Sequence, residues 1–270
     1  MSSKPGFVHL RLHSEYSIVD SLIRIKPLTA RVAELKMPAV AITDQVNFYA
    51  LIKFYIAANS KGIKPVCGCD LLVVEDDNPD QLSVLVLLVK NLKGYRNLVQ
   101  LISRAYLEGQ TRGNITVKRS WLNGNTEGLI ALSGAGRGDV GQALLANDLP
   151  LATTLLQQWL QLFPDNYYLE LHRTGRPGDS EHVTRAVQLA LASGTPVVAT
   201  NDVRFLRQQD FEAHEVRVCI NERRTLDDPR RPRTYSPLMP AERMMPPSRV
   251  VSASMKRVSS SGVLARGSAP

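Results

Sequence analysis

Short apolar runs alternate with helical patterns along most of this chain, and this alternation constrains the fold more than any other feature. Seven runs have the length and composition of β-strands, namely residues 7–13, 38–43, 64–70, 83–89, 128–133, 167–172 and 196–200. Between them, apolar residues recur at helical spacing, for example at Leu28, Val32 and Leu35. Strand–helix–strand repeats predict parallel strands joined by right-handed crossovers. We therefore predict an α/β fold with a seven-stranded parallel sheet, either closed as a barrel or open and doubly wound.

Residues 238–270 differ from everything before them. They contain seven serines, four prolines and no aromatic residue, and no regular apolar period survives there. Such a segment has too little to bury and is predicted to be disordered. We expect a folded domain over residues 1–237 and a low-complexity basic tail over 238–270. A truncated or frame-shifted end of a longer reading frame is the favoured explanation of the tail, and a natural basic linker is the alternative.

The composition excludes several classes of protein. No stretch approaches the roughly 18 consecutive apolar residues of a membrane span, and the N-terminus lacks the apolar core of a secretory signal. Three cysteines are too few for a disulfide framework and fit a reducing cytoplasm. The net charge is +8, but residues 238–270 supply +4 of it, so charge alone is no nucleic-acid signature. The two common glycine-rich nucleotide motifs are missing.

Polar side chains gather where the predicted strands end. The set comprises His13, Asp44, Asp70, Ser133, His172 and Asp202. In parallel barrels this edge carries the chemistry, although an aspartate there is equally suited to capping the next helix. Recurrence at equivalent places in separate units favours a shared site.

The first predicted strand carries three polar side chains on one face. Period-two alternation places His9, Arg11 and His13 together. If buried, they need carboxylates, a metal or water as partners. A guanidinium does not bind metals, so each histidine lacks the second ligand that an H-x-H pair would supply.

A series of segments carries a resemblance to a known family. In chain order they read FVHLRLHSEYSIVDS, AITDQVN, GIKPVCGCDL, KNLKGYRNLVQLIS, EGLIALSGAGRGDVG, YYLELHRTGRP and PVVATNDVRF, followed by TLDDPRRPRTYSP. Together they resemble the PHP (polymerase and histidinol phosphatase) domain, of the kind found at the N-terminus of bacterial DNA polymerase III alpha subunits. The resemblance runs through nearly all of residues 5–237. It implies a seven-stranded (β/α)7 barrel.

The resemblance also locates the family's metal site. Active members use histidines and carboxylates to hold two or three divalent metals that activate water for phosphoester hydrolysis. The positions implied here are Arg11, His13, Asp20, Gln45, Asp70, Ala135, Asp202 and Arg204, with His9, Asp44 and His172 also lining the mouth. Arg11, Gln45 and Arg204 stand where the family has histidines. Asp70 replaces a longer glutamate, and Ala135 a cysteine or histidine. Because four or five ligands are missing, we expect no metal, with weak zinc or manganese binding as the alternative.

The two arginines suggest how the remaining acids are balanced. Without cations, Asp20, Asp44, Asp70 and Asp202 would repel one another in a partly dry pocket. We hypothesise that Arg11 and Arg204 project into the former site and neutralise these aspartates through bidentate pairs.

Other polar residues are assigned simpler roles. Arg173 and Arg176 are predicted to form a solvated basic loop, and His182 and His214 to lie on the surface. Residues 227–235 are interpreted as an extended exit segment toward a polymerase portion, with a phosphate-contacting role as the alternative.

The resemblance implies a role in DNA replication without catalysis by this region. The parent protein would be a DNA-directed DNA polymerase (a nucleotidyltransferase) that uses magnesium, with its catalytic carboxylates beyond this chain. We expect no catalytic residue here, but a scaffold that docks the proofreading 3′–5′ exonuclease subunit and braces the polymerase portion. DNA would be bound only through the parent holoenzyme, in the cytoplasm and without membrane contact. The alternative is a residual metal-dependent phosphoesterase (exonuclease or pyrophosphatase); a direct DNA-binding module, argued only from charge, is weaker.

Overall fold

Helices and strands alternate along the chain in a computed structural model that describes residues 7–18, 20–111, 113–231 and 233–242. The helices are α1 (Ile25–Glu34), α2 (Leu51–Asn59), α3 (Leu92–Glu108), α4 (Asp139–Leu145), α5 (Leu149–Leu162), α6 (Asp179–Ser193) and α7 (Phe211–Glu222). The strands are β1 (Ala39–Ile42), β2 (Lys64–Val74), β3 (Ser83–Val89), β4 (Gln110–Thr111), β5 (Asn114–Ile115), β6 (Val117–Lys118), β7 (Leu129–Leu132), β8 (Tyr167–His172) and β9 (Val197–Thr200). Six of the seven predicted strands are confirmed.

Local sequence sets where several helices begin and end. The Asn91 side chain accepts a hydrogen bond from the Gly94 amide at 3.0 Å and caps the start of α3. Asp148 caps α5 in the same way, with Leu151 as the donor. Helix α6 ends at Gly194, which adopts a φ of 71°, a left-handed conformation that glycine tolerates without strain.

The main sheet is mixed rather than wholly parallel. Its order is β1-β2-β3-β7-β8-β9, and β6 also pairs with β2. The β1–β2, β7–β8 and β8–β9 pairs are parallel, but β3 runs antiparallel to both β2 and β7. The prediction of an all-parallel sheet is therefore wrong at β3. Residues 75–82 connect β2 to β3 without a helix, and so short a connection suits antiparallel rather than parallel strands.

The sheet curls so that its two edge strands approach the N-terminal segment 7–13. The Ala41 amide in β1 donates to the His9 carbonyl at 2.8 Å, and the His13 amide donates to the Val203 carbonyl at 3.0 Å. The segment is not a regular strand, because only an isolated bridge pairs Leu12 with Val203. The complete seven-stranded barrel is thus not confirmed; the observed architecture is a curled α/β sheet with helices.

The core lies between this sheet and the surrounding helices. Strand β3 is buried along almost its whole length, and Trp159 of α5 stacks on Tyr167 of β8 with ring centroids 6.0 Å apart. No helix among the described residues is both long and apolar enough to cross a membrane.

The folded part continues past the predicted boundary at residue 237. Met239 and Ala241 are fully buried, and Pro240 forms a bridge with Phe205. Residues 238–242 therefore belong to the domain, because apolar side chains among them are buried against it. The rest of the predicted tail, residues 243–270, lies outside the described residues.

Candidate functional site

Seven charged or titratable side chains meet inside the curled sheet, and we call them the ion-pair cluster. They come from five parts of the chain: segment 7–13, the residues before Leu22, strand β2, strand β8 and the residues after β9. All are at most 4% exposed: Arg11, His13, Asp20, Asp70, Glu170, Asp202 and Arg204. Asp70 lies inside β2 rather than at its end, because that strand continues to Val74.

Arg11 lies among three carboxylates. Its Nη2 and Nε atoms lie 2.7 Å and 2.8 Å from Oδ2 of Asp70. Its Nη1 atom lies 3.2 Å from Oε2 of Glu170. Its Nε atom is also 3.4 Å from Oδ1 of Asp202. One guanidinium therefore contacts acids from β2, β8 and the segment after β9.

Arg204 joins the opposite side of the cluster. Its Nη1 atom lies 2.6 Å from Oδ2 of Asp20, and its Nη2 atom lies 2.6 Å from Oδ1 of Asp202. It also contacts His13. Asp202 is thus shared by both arginines, which places it at the centre of the ion-pair cluster.

His13 bridges two further carboxylates. Its Nδ1 atom lies 3.0 Å from Oδ1 of Asp20, and its Nε2 atom lies 2.9 Å from Oδ2 of Asp70. Both ring nitrogens are therefore engaged by carboxylates within the ion-pair cluster.

Arg11 and Asp202 favour each other's ionised forms, whereas burial raises the pKa of Asp20 to about 7 and lowers the pKa of Arg204 to about 9. Burial disfavours the charge of Arg11, but the three surrounding carboxylates outweigh it and raise the pKa of this arginine. Burial alone would likewise raise the pKa of Asp202, yet Arg11 and Arg176 hold it well below its usual range. Arg11 and Asp202 therefore form a persistently charged pair.

The exit segment covers the cluster. Tyr235 Oη donates to Oδ2 of Asp20 at 3.2 Å. Arg176 Nη1 lies 2.8 Å from Oδ2 of Asp202, and its Nε atom donates to the Thr234 carbonyl at 2.6 Å. The expectation that Arg176 is solvated is wrong, because Asp202 supplies a buried partner that the local sequence does not reveal.

Two histidines expected on the surface are buried. His182 is 3% exposed and His214 is fully buried. The Nε2 atom of His214 donates to the Asp20 carbonyl at 2.9 Å, and its ring packs edge-on against Tyr235. Charged residues next to both histidines in the sequence suggested exposed positions, but both side chains pack into the domain.

Asp44 lies beside the cluster but is not paired with either arginine, contrary to the hypothesis. It accepts hydrogen bonds from the Ser14 amide at 2.6 Å, the Ser14 hydroxyl at 2.7 Å and the Ser17 hydroxyl at 2.6 Å. Asp44 therefore holds the turn Glu15–Ser17, and hydroxyl and amide donors rather than a guanidinium satisfy its charge.

The remaining predicted positions divide between the site and its surroundings. His172 Nε2 lies 3.1 Å from Oε1 of Glu170, so it contacts the ion-pair cluster. Ala135 is buried and has no side-chain donor. Gln45 is half-buried, and its backbone N–H donates to the Ser17 hydroxyl at 3.2 Å. His9 faces elsewhere, since its Nε2 atom donates to the Ala241 carbonyl at 2.8 Å.

This set of side chains does not fit a cluster of divalent metals. The guanidinium groups of Arg11 and Arg204 occupy the space between the carboxylates, and a guanidinium has no lone pair to offer a cation. Within the described part of the chain, no three or more His, Cys, Asp or Glu side chains are arranged to hold a metal ion. Chemically, the site is a buried network of ion pairs.

Sequence reasoning missed two members of this network. Glu170 lies two residues before His172 in β8, so period-two alternation could have placed both on the same face. Tyr235 carried no comparable signal, since its contact with Asp20 joins residues 215 positions apart.

Sequence comparisons relate this chain to known proteins. Residues 9–174 match the model of the PHP domain. The chain is 56% identical over 231 residues to the DNA polymerase III subunit alpha of Pseudomonas aeruginosa, covering 86% of this chain and 20% of that protein. It is 50% identical over 235 residues to the subunit of the same name from Escherichia coli K12, covering 87% of this chain and 20% of that protein. The chain thus spans about a fifth of the length of these relatives.

A solved structure is also similar at low sequence identity. An amidohydrolase from Chromobacterium violaceum aligns with a TM-score of 0.48 and 14% identity, covering 78% of this chain and 96% of that one. Because the family model covers more than half of the sequence, from residue 9 to residue 174, the chain belongs to the PHP domain family.

Proposed function

We propose that this chain is the N-terminal PHP domain of a replicative DNA polymerase III alpha subunit, and that it acts there as a non-catalytic scaffold. The identity of 50–56% to polymerase III alpha subunits supports the first part. The parent would be a cytoplasmic DNA-directed DNA polymerase that uses magnesium in its polymerase portion. DNA would be contacted only through the parent holoenzyme.

One observation carries the non-catalytic role. Arg11 and Arg204 lie against the carboxylates that an active PHP site would need for its metals. Hydrolysis in this family depends on metal-bound water, so a site neutralised by guanidinium groups lacks the nucleophile. The buried network instead links five segments of the chain, which suits a bracing role for the polymerase portion.

The scaffold is further proposed to dock the proofreading 3′–5′ exonuclease subunit. A rigid domain that no longer turns over substrate can present a fixed surface at low conformational cost. Titration of the full chain with the purified exonuclease subunit measures this interaction directly.

Metal content and hydrolysis test the non-catalytic role. The dialysed full chain is incubated with Mn²⁺ or Zn²⁺, desalted, analysed for metal and assayed on bis(p-nitrophenyl) phosphate. We expect metal stoichiometry near zero and no turnover. One metal per chain, with turnover that Asp202→Asn abolishes, would instead establish the residual phosphoesterase.

A further inference from the structure

Helix α2 turns an apolar face away from the domain. It buries Leu51, Phe54 and Ala58. On its other side Ile52, Tyr55 and Ile56 are 69%, 52% and 64% exposed, and Tyr49, just before the helix, is 60% exposed. The spacing of three and four residues places them on one side. We call Tyr49, Ile52, Tyr55 and Ile56 the α2 outer face.

The α2 outer face is held rigidly. Tyr49 Oη donates to Tyr106 Oη of α3 at 3.3 Å, which fixes the start of the face against a neighbouring helix. The preceding Phe48 stacks on Tyr95 with ring centroids 5.9 Å apart, and Phe54 is fully buried beneath the helix. A preorganised surface of tyrosine and isoleucine is typical of protein–protein contacts, because it loses little freedom on binding.

Along the chain, the charged residues next to the α2 outer face are lysines. No aspartate or glutamate occurs between Asp44 and Asp70, whereas Lys53, Lys61 and Lys64 lie in that interval. Lys53 borders the face, and its Nζ atom lies 3.2 Å from the Tyr16 hydroxyl rather than against a carboxylate. Lys61 and Lys64 are exposed. The complementary surface is therefore apolar with carboxylates at its margin.

We propose that the α2 outer face docks a protein segment that carries apolar side chains flanked by aspartate or glutamate. The inference rests on the proposed function, because we assign that segment to the proofreading exonuclease subunit. Apolar side chains of the segment would cover Ile52 and Ile56, and its carboxylates would meet Lys53. Contiguous exposed apolar residues on a folded domain commonly mark such contacts.

Binding of the purified exonuclease subunit to the full chain tests this assignment. Ile56→Glu removes a central apolar contact and adds a charge that repels the partner's carboxylates. We expect it to weaken binding at least about tenfold. The matched control is Ile220→Glu on α7, because Ile220 is 73% exposed on a different helix. An unchanged melting temperature for both variants shows that the domain is intact.

Charge reversal tests the second half of the inference. Lys53→Glu leaves the apolar side chains in place and should weaken binding several-fold at low salt, with a smaller effect at high salt. Lys93→Glu, at an exposed position of α3, is its control and should bind like the unaltered chain. If Lys53→Glu and Lys93→Glu bind equally well, the claim that carboxylates of the partner meet Lys53 is wrong.

The outcomes separate the docking surface from the docking role. If the unaltered chain binds but Ile56→Glu and Ile220→Glu bind equally, the surface assignment is overturned and the docking role stands. If the unaltered chain does not bind the exonuclease, both fail. Protection of α2 from hydrogen exchange in the parent polymerase without exonuclease would assign the α2 outer face to the polymerase portion and also overturn the inference.

Discussion

Arg11 and Asp70 form a buried ion pair in which two guanidinium nitrogens converge on one carboxylate oxygen. Nη2 and Nε of Arg11 lie 2.7 Å and 2.8 Å from Oδ2 of Asp70. The same oxygen lies 2.9 Å from Nε2 of His13. This oxygen thus receives three contacts from positively charged or N–H-bearing groups, a density of donors that substitutes for a cation.

Removing Arg11 should destabilise the domain strongly. Arg11→Ala leaves buried carboxylates without their main counter-charge, and breaking a buried pair typically costs about 3–5 kcal/mol. Urea denaturation followed by circular dichroism measures this loss. The control is Arg24→Ala, whose side chain is 78% exposed and 3.7 Å from Glu15; it should change the free energy of unfolding by less than about 0.5 kcal/mol. Equal, small effects of both variants would show that the network is not structural.

The stability of the domain should depend on pH through His9. Burial lowers the pKa of His9 to about 4, although its bond to the Ala241 carbonyl opposes the shift. The unfolded chain takes up a proton near pH 6.5, at roughly the ordinary pKa of histidine. The stabilisation is therefore present above about pH 6.5 and is lost as the pH falls toward 4.

A comparison with His9→Gln isolates this effect from other titrating groups. Between pH 7 and pH 5 the unaltered chain should lose about 2 kcal/mol more than His9→Gln, by the linkage between protonation and folding. Chemical denaturation of both chains at the two pH values gives the difference. Parallel pH profiles would show that His9 does not titrate as its burial requires.

Arg176 should hold the exit segment in place. Its guanidinium bridges Asp202 in the ion-pair cluster to the Thr234 carbonyl. Arg176→Ala removes a charge-assisted hydrogen bond worth roughly 1.5–3 kcal/mol. Trypsin should therefore cleave after Arg233 at least about tenfold faster in the variant. Arg173→Ala, at an exposed neighbouring position, should leave the cleavage rate unchanged; similar acceleration by both variants would rule out the bridge.

The sequence predicts the strands better than their directions. The runs 83–89 and 167–172 match β3 and β8 to the residue, because continuous apolar residues specify buried strands regardless of context. Strand direction depends on the connection, and the signal for the antiparallel β3 was the absence of a helical pattern between Asp70 and Ser83. Segment 7–13 has a strand pattern, yet it forms one isolated bridge and separate backbone hydrogen bonds rather than a regular strand.

The site could be predicted at the positions that the family motifs specify, but not at contacts between segments that lie far apart in the sequence. Arg11 and Arg204 lie against Asp20, Asp70 and Asp202 as expected, but each contact reaches a single carboxylate oxygen, so the expected bidentate geometry is wrong. Asp44 was placed wrongly, because hydroxyl groups of Ser14 and Ser17 satisfy it locally. The contacts of Arg176 and Tyr235 arise from the path of the exit segment across the cluster, which no local pattern encodes.

The central claim is that guanidinium groups have taken the place of metals in this PHP domain. Anomalous diffraction from crystals of the full chain soaked in Mn²⁺ or Zn²⁺ tests it most directly. The account predicts no anomalous peak among Asp20, Asp70, Glu170 and Asp202, with Arg11 and Arg204 in contact with these acids. A well-occupied ion ligated by these carboxylates, with the arginines displaced, would contradict it.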